Sequence, residues 1–430
     1  MIRLSGPSAH DAVQEMTPAK ISERPRLAQR LQLYDPQSDE HLDDSLAIFF
    51  TRPASYTGED VAELHVHGGA AVIDGVFDVL RRNAALRMAE PGEFTRRAFE
   101  NGKMDLTAAE AVADLIDAEV AAQRRQALRQ GGGALAALCD GWREELIAAL
   151  AHWEAAIDFS DEELPADLEA TTCARVEALA DEIAGHLADG RRGERLRDGV
   201  HLAIIGPPNA GKSSLLNLLA CRDVAIVSET AGTTRDIIEV HLDLGGYPVI
   251  AADTAGLRES AEPIEQEGVR RARSRADSAD LRLAVFDATD WPPATDAFSG
   301  LLDDKTIVAA NKIDLMPMTA GVRLAGREVV PISVQDGTGI EALLSVVAKS
   351  VERGFDGAAP PVVTRARHRE ALEACAVHLG SFLARGDRMA HPEICAEDLR
   401  LAGRALGRVT GRVDVEDLLD VIFSDFCIGK

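Results

Sequence analysis

The sequence predicts a chain of several domains, in which an α/β domain follows an N-terminal α+β domain and interrupts a helical one. Its 430 residues are enough for about three domains. Between residues 199 and 353, β-like apolar runs alternate with helical patterns, as is typical of a parallel sheet with crossover helices. The flanking segments, 102–198 and 354–430, are dominated by helical patterns. We therefore expect these two segments to form one helical domain into which the α/β domain is inserted.

The first part of the chain, residues 1–101, mixes short strands, turns and a helix. β-like runs occupy residues 45–50 and 62–67, between turns rich in Gly and Pro. Residues 71–83 follow with the apolar spacing of an amphipathic helix. This mixture predicts a compact α+β domain.

The two helical segments are rich in Ala and Leu. Residues 105–187 are predicted to be mostly helical, with an interruption at residues 131–133 (GGG). Thr107, with Glu110 three residues later, is close to a capping box and predicts a helix start. Residues 354–361 (GFDGAAPP) predict a linker, after which the pattern is helical again.

The α/β domain contains six apolar runs that are predicted to be strands. Each is short enough for a buried strand and is separated from the next by turn residues or a helical pattern. The runs are residues 200–205, 237–244, 247–252, 281–286, 306–310 and 329–332.

Composition excludes several classes of protein. Hydrophobic residues make up 46% and charged residues 27% of the chain, which excludes disorder over its whole length. The sequence has no run of about 18 apolar residues, so no membrane span is predicted. The start lacks the apolar region of a secretory signal, and we expect a cytoplasmic protein.

Charge and cysteine content also limit the possible partners. The formal net charge is −25, so contact with nucleic acid would need a local basic patch. Arg400, Arg404, Arg408 and Arg412 recur every four residues and could form such a patch on a helix, although a solvated face is the simpler interpretation. The six cysteines contain no C-x-x-C pair, which predicts reduced thiols.

The strongest functional signal is the segment 206–213 (GPPNAGKS), which fits the phosphate-binding pattern G-x-x-x-x-G-K-[ST]. An apolar run precedes it and the helical residues 215–219 follow, which is the context that this motif requires. Its glycines let backbone N–H groups close around phosphate oxygens, and the helix N-terminus adds a positive dipole end. Lys212 is predicted to contact the β and γ phosphates, and Ser213 to bind Mg²⁺.

Three later motifs predict a guanine nucleotide. Asp253 opens a D-x-x-G turn and can hold Mg²⁺ directly or through water, while Gly256 can contact the γ-phosphate. In the motif 311–314 (NKID), the carboxylate of Asp314 can accept from both N1–H and the exocyclic amine of guanine. Adenine lacks both donors and would leave that carboxylate unpaired. With residues 333–335 (SVQ) as a further loop that could support the base, the order predicts a guanine-nucleotide switch domain.

The residues expected to promote hydrolysis depart from the pattern that is common in such domains. A Gln that orients water often follows the D-x-x-G turn, but Leu257 stands here and cannot form a hydrogen bond. Glu265 could orient the water, and its neighbours Glu262 and Glu267 are rivals that this reasoning leaves open. The side-chain carbonyl of Asn209 could bind a monovalent cation beside the phosphates.

The loop 228–236 (SETAGTTRD) could add further ligands. Its carbonyls could reach the same cation, and Thr234 could bind Mg²⁺. Arg235 and Arg258 flank these segments, but either could be a simple surface charge.

Several of these segments together resemble the potassium-dependent MnmE (TrmE) family of tRNA-modification GTPases. Within the α/β domain the resemblance is carried by Asn209, residues 231–236 (AGTTRD) and residues 253–258 (DTAGLR). Outside it, residues 91–106 (PGEFTRRAFENGKMDL) and 423–430 (FSDFCIGK) separate this family from relatives that act in ribosome assembly. The similarity runs over nearly the whole chain.

The resemblance implies a fold and an activity. It implies an N-terminal domain (1–101) that binds a tetrahydrofolate derivative, in a 5-formyl or methylene form, and drives homodimerisation. It implies an all-α helical domain in two parts (102–198 and 354–430) and an inserted P-loop GTPase domain of Ras-like fold (199–353). GTP would be hydrolysed with Mg²⁺ and K⁺.

The resemblance also implies partners. With an MnmG-type FAD protein, as a heterotetramer, the chain would add a carboxymethylaminomethyl or aminomethyl group to C5 of the wobble uridine of certain tRNAs. Two alternatives are a regulatory GTPase of ribosome assembly and a folate-binding scaffold whose GTPase is vestigial.

Individual roles follow from the same resemblance. Glu265 matches the catalytic glutamate of the family, which selects it among the three acids. Cys427 matches the terminal cysteine, for which packing and chemistry are equally good interpretations. The ligands would be Ser213 and Thr234 for Mg²⁺, Asn209, Ser228, Thr230 and Thr233 for K⁺, and Arg3, Glu63, Lys103 and Lys430 for the folate. The residues predicted to bind GTP are Asn209, Ala210, Gly211, Lys212, Ser213, Ser214, Ser228, Glu229, Thr230, Ala231, Gly232, Thr233, Thr234, Asp253, Thr254, Ala255, Gly256, Asn311, Lys312, Asp314, Ser333, Val334 and Gln335.

Two departures from the family pattern bear on these expectations. Family members usually begin with a strand and a Gly-rich loop ahead of the segment that matches residues 1–6, and loss of that piece could weaken folate binding and the dimer. Residues 333–335 read SVQ where Ser-Ala-Lys or Ser-Ala-Leu is usual, although backbone contacts to guanine could survive the change.

His65 and His67 alternate on a β-like run, but a metal site would need a further ligand at suitable spacing.

Overall fold

A computed structural model of the chain provides the coordinates. It describes residues 1–22, 24–158, 168–189, 191–222, 224–226, 239–253, 273, 275–295, 298, 300–319, 321–355, 362–386, 388–413, 419, 422, 423 and 426. Among these residues, no helix is both long enough and apolar enough to cross a membrane.

Eleven strands and twelve helices of the described residues are used below. The strands are β1 (Ile2–Ser5), β2 (Ala28–Tyr34), β3 (His41–Phe50), β4 (Val61–His65), β5 (Val200–Ile205), β6 (Glu239–Leu244), β7 (Tyr247–Asp253), β8 (Leu281–Asp287), β9 (Thr306–Asn311), β10 (Arg323–Leu324) and β11 (Arg327–Pro331). The helices are α1 (Ala9–Gln14), α2 (Ala70–Arg82), α3 (Glu93–Glu100), α4 (Leu106–Ile116), α5 (Ala121–Gly131), α6 (Ala134–Asp158), α7 (Leu168–Leu187), α8 (Arg192–Asp198), α9 (Lys212–Ala220), α10 (Ile340–Phe355), α11 (Ala366–Ala384) and α12 (Pro392–Thr410).

The chain forms two compact units. Unit one is assembled from residues 1–113, 130–179 and 374–430, and unit two from residues 114–129 and 180–373. Each unit therefore contains stretches that are distant in the sequence. The three predicted boundaries, at residues 101/102, 198/199 and 353/354, stay a prediction.

The sheet of unit one has four antiparallel strands in the order β1-β4-β3-β2. On β2, Leu31 and Leu33 are buried while Arg30 and Gln32 point to the other face. This period of two places apolar residues from each of the four strands on one face, which packs against α1 and α2. The α+β character predicted for the N-terminal part is confirmed.

The helical part of unit one is organised around α6. This 25-residue helix packs along α12, and its Trp153 meets Phe382 of α11 with ring centroids 5.4 Å apart. Both rings are fully buried, so the long Ala-rich segments form a core of their own.

The start of α4 differs from the predicted capping box. Asp105 provides the cap, because its Oδ1 accepts from the N–H of Ala108 and the hydroxyl of Thr107, each at 2.8 Å. Thr107 and Glu110 are both buried inside the helix instead. The helix was predicted at the right place with the wrong capping residue.

The sheet of unit two has seven strands in the order β10-β11-β9-β8-β5-β7-β6. β5, β7, β8, β9 and β11 are parallel, and the two outer strands β6 and β10 run antiparallel to their neighbours. Along β8, Leu283 and Val285 belong to the core on one face, while Ala284 and Phe286 belong to the core on the other. Burial on both faces explains why the central strands read as continuous apolar runs.

The predicted linker 354–361 begins too early. Gly354 and Phe355 are the last residues of α10, and the ring of Phe355 stacks on Tyr247 at 4.8 Å. Arg195 lies over the same ring at 5.9 Å. The helix therefore continues through Gly354, which the predicted linker had included.

The cysteines agree with the prediction of reduced thiols as far as the structure describes them. Cys139, Cys173, Cys221, Cys375 and Cys395 are all free, and Cys427 lies outside the described residues.

Candidate nucleotide-binding site

The predicted phosphate loop joins the central strand β5 to helix α9. Gly206 has a φ of +145°, and a Cβ there would lie 2.1 Å from the carbonyl oxygen of Val285. Gly211 has a φ of +95°, and a Cβ there would lie 2.2 Å from Nδ2 of Asn311. Both glycines are therefore required by backbone conformation and by close approach of a neighbouring strand. The strand–loop–helix prediction is confirmed.

The loop surrounds the head of Lys212. Its Nζ donates to the carbonyl oxygens of Gly206 and Pro207, at 2.9 and 2.7 Å, and the residue is only 6% exposed. The ammonium group thus lies inside the loop that would receive the phosphates, where a point charge attracts their oxygens most strongly.

Two oxygen groups meet at the first turn of α9. The hydroxyl of Ser213 donates to Oδ2 of Asp253, at the end of β7, with the oxygens 2.5 Å apart. A hydroxyl and a carboxylate are hard oxygen donors of the kind that Mg²⁺ takes, so this pair fits the predicted magnesium site. Thr234, the other predicted ligand, lies outside the described residues.

The guanine motif is braced against the phosphate loop. Asn311, which is 3% exposed, donates from Nδ2 to the carbonyl oxygen of Ala210 at 2.8 Å. Its Oδ1 accepts from the N–H of Val334 at 3.0 Å. Ser333 donates to Oδ1 of Asp314 at 2.7 Å. The three motifs predicted from separate parts of the sequence are therefore joined by direct hydrogen bonds.

Asp314 is oriented by one hydrogen bond and keeps further acceptor positions for a ligand. It is exposed, and the contact from Ser333 uses one of the several acceptor positions of a carboxylate. It can therefore accept two N–H groups from one edge of a base, as the sequence predicted. Ser214 and Gln335 are exposed beside these motifs.

One residue of this site, Asp287, belongs to none of the predicted motifs. Asp287 ends β8, directly opposite Asn311 in the β8–β9 register, and its Oδ2 accepts from Nζ of Lys312 at 2.5 Å. The available signal was its place at the carboxyl end of an apolar strand, where sites of α/β folds collect.

Many predicted residues lie outside the part of the chain that the structure describes. They come from the segments proposed to bind K⁺ and Mg²⁺ and to orient water, and from the C-terminus. They are Ser228, Glu229, Thr230, Ala231, Gly232, Thr233, Thr234, Thr254, Ala255, Gly256, Glu265, Cys427 and Lys430, together with the weighed residues Arg235, Leu257, Arg258, Glu262 and Glu267.

The described folate candidates lie around one loop of unit one. Arg3 and Glu63 face each other on β1 and β4 and form an ion pair at 2.8 Å, and the Arg3 guanidinium lies 5.5 Å from the ring centroid of Tyr56. Lys103 donates from Nζ to the carbonyl oxygen of Pro53 at 2.8 Å. Arg3 and Lys103 thus both contact the segment 51–60, and Glu63 is a paired group with a side chain only 15% exposed.

Two of the four arginines that recur between residues 400 and 412 form ion pairs within unit one. Arg400 of α12 pairs with Glu154 of α6, and Arg412, which lies beyond the end of α12, pairs with Asp140 of α6 at 2.8 Å. These pairs reduce the positive charge that α12 could offer to phosphates.

His67 is held by a buried carboxylate. Its Nδ1 and backbone N–H contact the two oxygens of Asp43 at 2.8 and 2.9 Å. Among the described residues, no group of His, Cys, Asp and Glu could hold a metal ion. The metal interpretation of His65 and His67 therefore gains no support.

Comparison with known proteins decides the family. A sequence profile described as the MnmE helical domain matches residues 106–427, and one described as the GTP-binding protein TrmE N-terminus matches residues 1–103. The tRNA modification GTPase MnmE of Paramagnetospirillum magneticum is 55% identical over 428 residues, covering 100% of this chain and 96% of that protein. The chain belongs to the MnmE family. The resemblance inferred from the sequence is confirmed.

A second relative agrees with this placement. The MnmE protein of Parvibaculum lavamentivorans is 55% identical over 434 residues, again covering 100% of this chain and 96% of the relative. The crystal structure of a variant of Aquifex aeolicus Era bound to GDP·AlF4⁻ matches 41% of this chain and 66% of its own, with 26% identity and a TM-score of 0.28. Membership in the MnmE family therefore rests on the sequence relatives and profiles, not on this structural match.

Proposed function

We propose that this chain is a GTPase that acts in tRNA modification. The observation that carries the proposal is the joined site of unit two, in which a phosphate loop with Lys212, the Ser213–Asp253 pair and Asp314 are linked by hydrogen bonds. Relatives named tRNA modification GTPase span the full chain at 55% identity, which supports the same function.

Binding of GTP would use the described groups in three places. Backbone N–H groups of the loop and Lys212 would take the phosphates, and Ser213 and Asp253 would hold Mg²⁺, which neutralises phosphate charge. Asp314 would accept from N1–H and the exocyclic amine of guanine. Ser333 fixes one oxygen of Asp314, so the acceptors need little reorganisation when the base arrives.

Hydrolysis would use Glu265 to orient the attacking water. Leu257 cannot take that role, because its side chain forms no hydrogen bond. K⁺ would supply positive charge beside the phosphates, with Asn209, Ser228, Thr230 and Thr233 as its ligands. Asn209 supports this assignment because it is exposed in the loop itself, with a φ of +61°.

The wider activity follows the family resemblance. We propose that the chain acts in the cytoplasm as a homodimer with an MnmG-type FAD protein, and that together they modify C5 of the wobble uridine with a carboxymethylaminomethyl or aminomethyl group. A tetrahydrofolate derivative would bind near Arg3, Glu63 and Lys103, with Lys430 completing the set. The Arg3–Glu63 pair beside the Tyr56 ring supports a site for a flat, polar ring.

The test of the GTPase is turnover in different salts. The rate of GTP hydrolysis should be much higher in KCl than in NaCl at equal ionic strength, and Glu265→Ala should lower kcat while nucleotide affinity stays nearly unchanged. Equal rates in the two salts would refute the potassium assignment. A large loss of GTP affinity in Glu265→Ala would make that residue structural.

The test of the tRNA function is the wobble nucleoside itself. Cells that lack this protein should lose the modified uridine, as measured by mass spectrometry of digested tRNA. The wild-type chain should restore it, and Lys212→Ala should not. Unmodified uridine after complementation with the wild-type chain would contradict the proposed activity.

A further inference from the structure

Asp287 is a carboxylate held from both sides at the edge of the guanine motif. Its Oδ2 accepts from Nζ of Lys312 at 2.5 Å, and its Oδ1 accepts from the N–H and the hydroxyl of Thr289 at 2.9 and 2.7 Å. Its side chain is only 14% exposed. A carboxylate with this many partners has a fixed position and orientation.

Lys312 has a backbone conformation that needs support. Its φ is +70°, in the left-handed region, which is unfavourable for a residue with a Cβ. The residues around it are held by other contacts: Asn311 by Ala210 and Val334, and Asp314 by Ser333. The side chain of Lys312 is the part of the motif that reaches back to β8.

The electrostatics favour a permanent ion pair here. Burial raises the pKa of Asp287, but the hydrogen bonds from Lys312 and Thr289 outweigh burial and hold that pKa below its usual range. Asp287 is therefore ionised at neutral pH, and its charge is neutralised by Lys312. Among the described contacts, this ion pair is the only one that attaches the ammonium group of Lys312 to β8. Removing the carboxylate would therefore release that group.

We propose that Asp287 is a positioning residue for guanine binding, which holds Lys312 in its left-handed conformation so that Asn311 and Asp314 are presented together. The inference rests on the proposed binding of GTP and adds a residue from β8 to that site. Asp287 does not touch the nucleotide in this proposal, and its effect is carried entirely through Lys312.

The experiment measures nucleotide affinity in Asp287→Asn. Asparagine keeps an acceptor for Thr289 and loses the ion pair, so the Kd for GDP should rise about tenfold, the order expected for one charge-assisted hydrogen bond. Competition with a fluorescent GDP analogue on the full-length protein gives this Kd. The preference for GTP over ITP, which lacks the exocyclic amine, should fall as well, because the backbone turn at Lys312 that presents Asp314 to the base is then less well fixed.

A matched control exists at the other end of the same strand pair. Arg282 of β8 pairs with Asp303, just before β9, at 2.7 Å. Asp303→Asn removes a comparable ion pair and should lower thermal stability while leaving the Kd for GDP and the GTP/ITP preference unchanged. A tenfold loss of GDP affinity in this control would overturn the inference, because any weakened contact between these strands would then suffice.

A double variant tests the route through Lys312. In a Lys312→Met background, Asp287→Asn should change the Kd for GDP less than twofold. Additive losses, or an unchanged Kd in the single variant Asp287→Asn, would overturn the inference while the proposed function stands. A wild-type chain that binds no guanine nucleotide would overturn both.

Discussion

Asp314 is the residue on which base selectivity depends. A carboxylate only accepts hydrogen bonds, whereas an amide offers one acceptor and two donors. Asp314→Asn should therefore lower GTP affinity by about a hundredfold or more, because one N–H of guanine then faces another donor. Xanthine has a carbonyl in place of the exocyclic amine, so the variant should gain binding of XTP. Titration with GTP, XTP and ATP measures the change.

An exposed aspartate in the same unit provides the comparison for this variant. Asp290 lies in the short 3₁₀ turn Ala288–Asp290, is exposed and does not belong to a nucleotide motif. Asp290→Asn should bind GTP as the wild type does. If Asp314→Asn retains full GTP affinity, the assignment of the base-binding edge is wrong.

Individual contacts explain which site residues the sequence could predict. Lys212, Ser213, Asp253 and Asp314 belong to short motifs whose spacing is fixed by the chemistry of phosphate and guanine. Asp287 belongs to no such motif, because its role depends on the β8–β9 register that sets it opposite Asn311. Because β8 and β9 are parallel and are joined by a long connection, no tight turn in the sequence fixes their register.

At the scale of elements, Asp35 connects the loop after β2 to helix α2. Both its oxygens accept from Arg82, at 2.9 and 3.2 Å, and one also accepts from the N–H of Gln37. The hydrogen bonds from Arg82 and Gln37 lower the pKa of Asp35 from 3.8 to about 2. The contact therefore contributes its full stabilisation above pH 4, and that contribution is lost as the pH falls from about 4 to about 2.

Removing the arginine should move this pKa and leave the fold intact. In Arg82→Gln the pKa of Asp35 should rise toward 3.8, as followed by NMR titration of ¹³C-labelled aspartate. Arg81→Gln is the matched control, since Arg81 pairs with Asp78 on the same helix and should leave Asp35 unchanged. A pKa near 2 in Arg82→Gln would assign the shift to the backbone of the loop instead.

The strands of the two units differed in how well the sequence predicted them. The central strands of unit two were found because burial on both faces makes them apolar throughout. β1 and β2 were missed, since β1 has four residues and β2 shows its alternation with only Leu31 and Leu33 buried. A short edge strand exposes one face to water and gives a weak signal.

At the scale of the whole molecule, the predicted site belongs to unit two alone. Bound GDP should stabilise the unit that contains its site, by about 2.7 kcal/mol at a concentration one hundred times the Kd. Hydrogen exchange followed by mass spectrometry should show slower exchange in β5 and β9 with GDP. Exchange in β2 and β3 of unit one should stay the same. Equal protection of both sheets would show that the two units open together.

Unit one is built from three stretches that emerge from the ribosome at different times. Helix α6 packs along α12, and Trp153 meets Phe382, yet these partners are separated by the whole of residues 180–373. Unit two is complete before residues 374–430 have been synthesised. In the nascent chain, the apolar side of α6 therefore lacks its partner α12 until the end of synthesis. A chaperone would be needed most during this interval, when that apolar surface is uncovered.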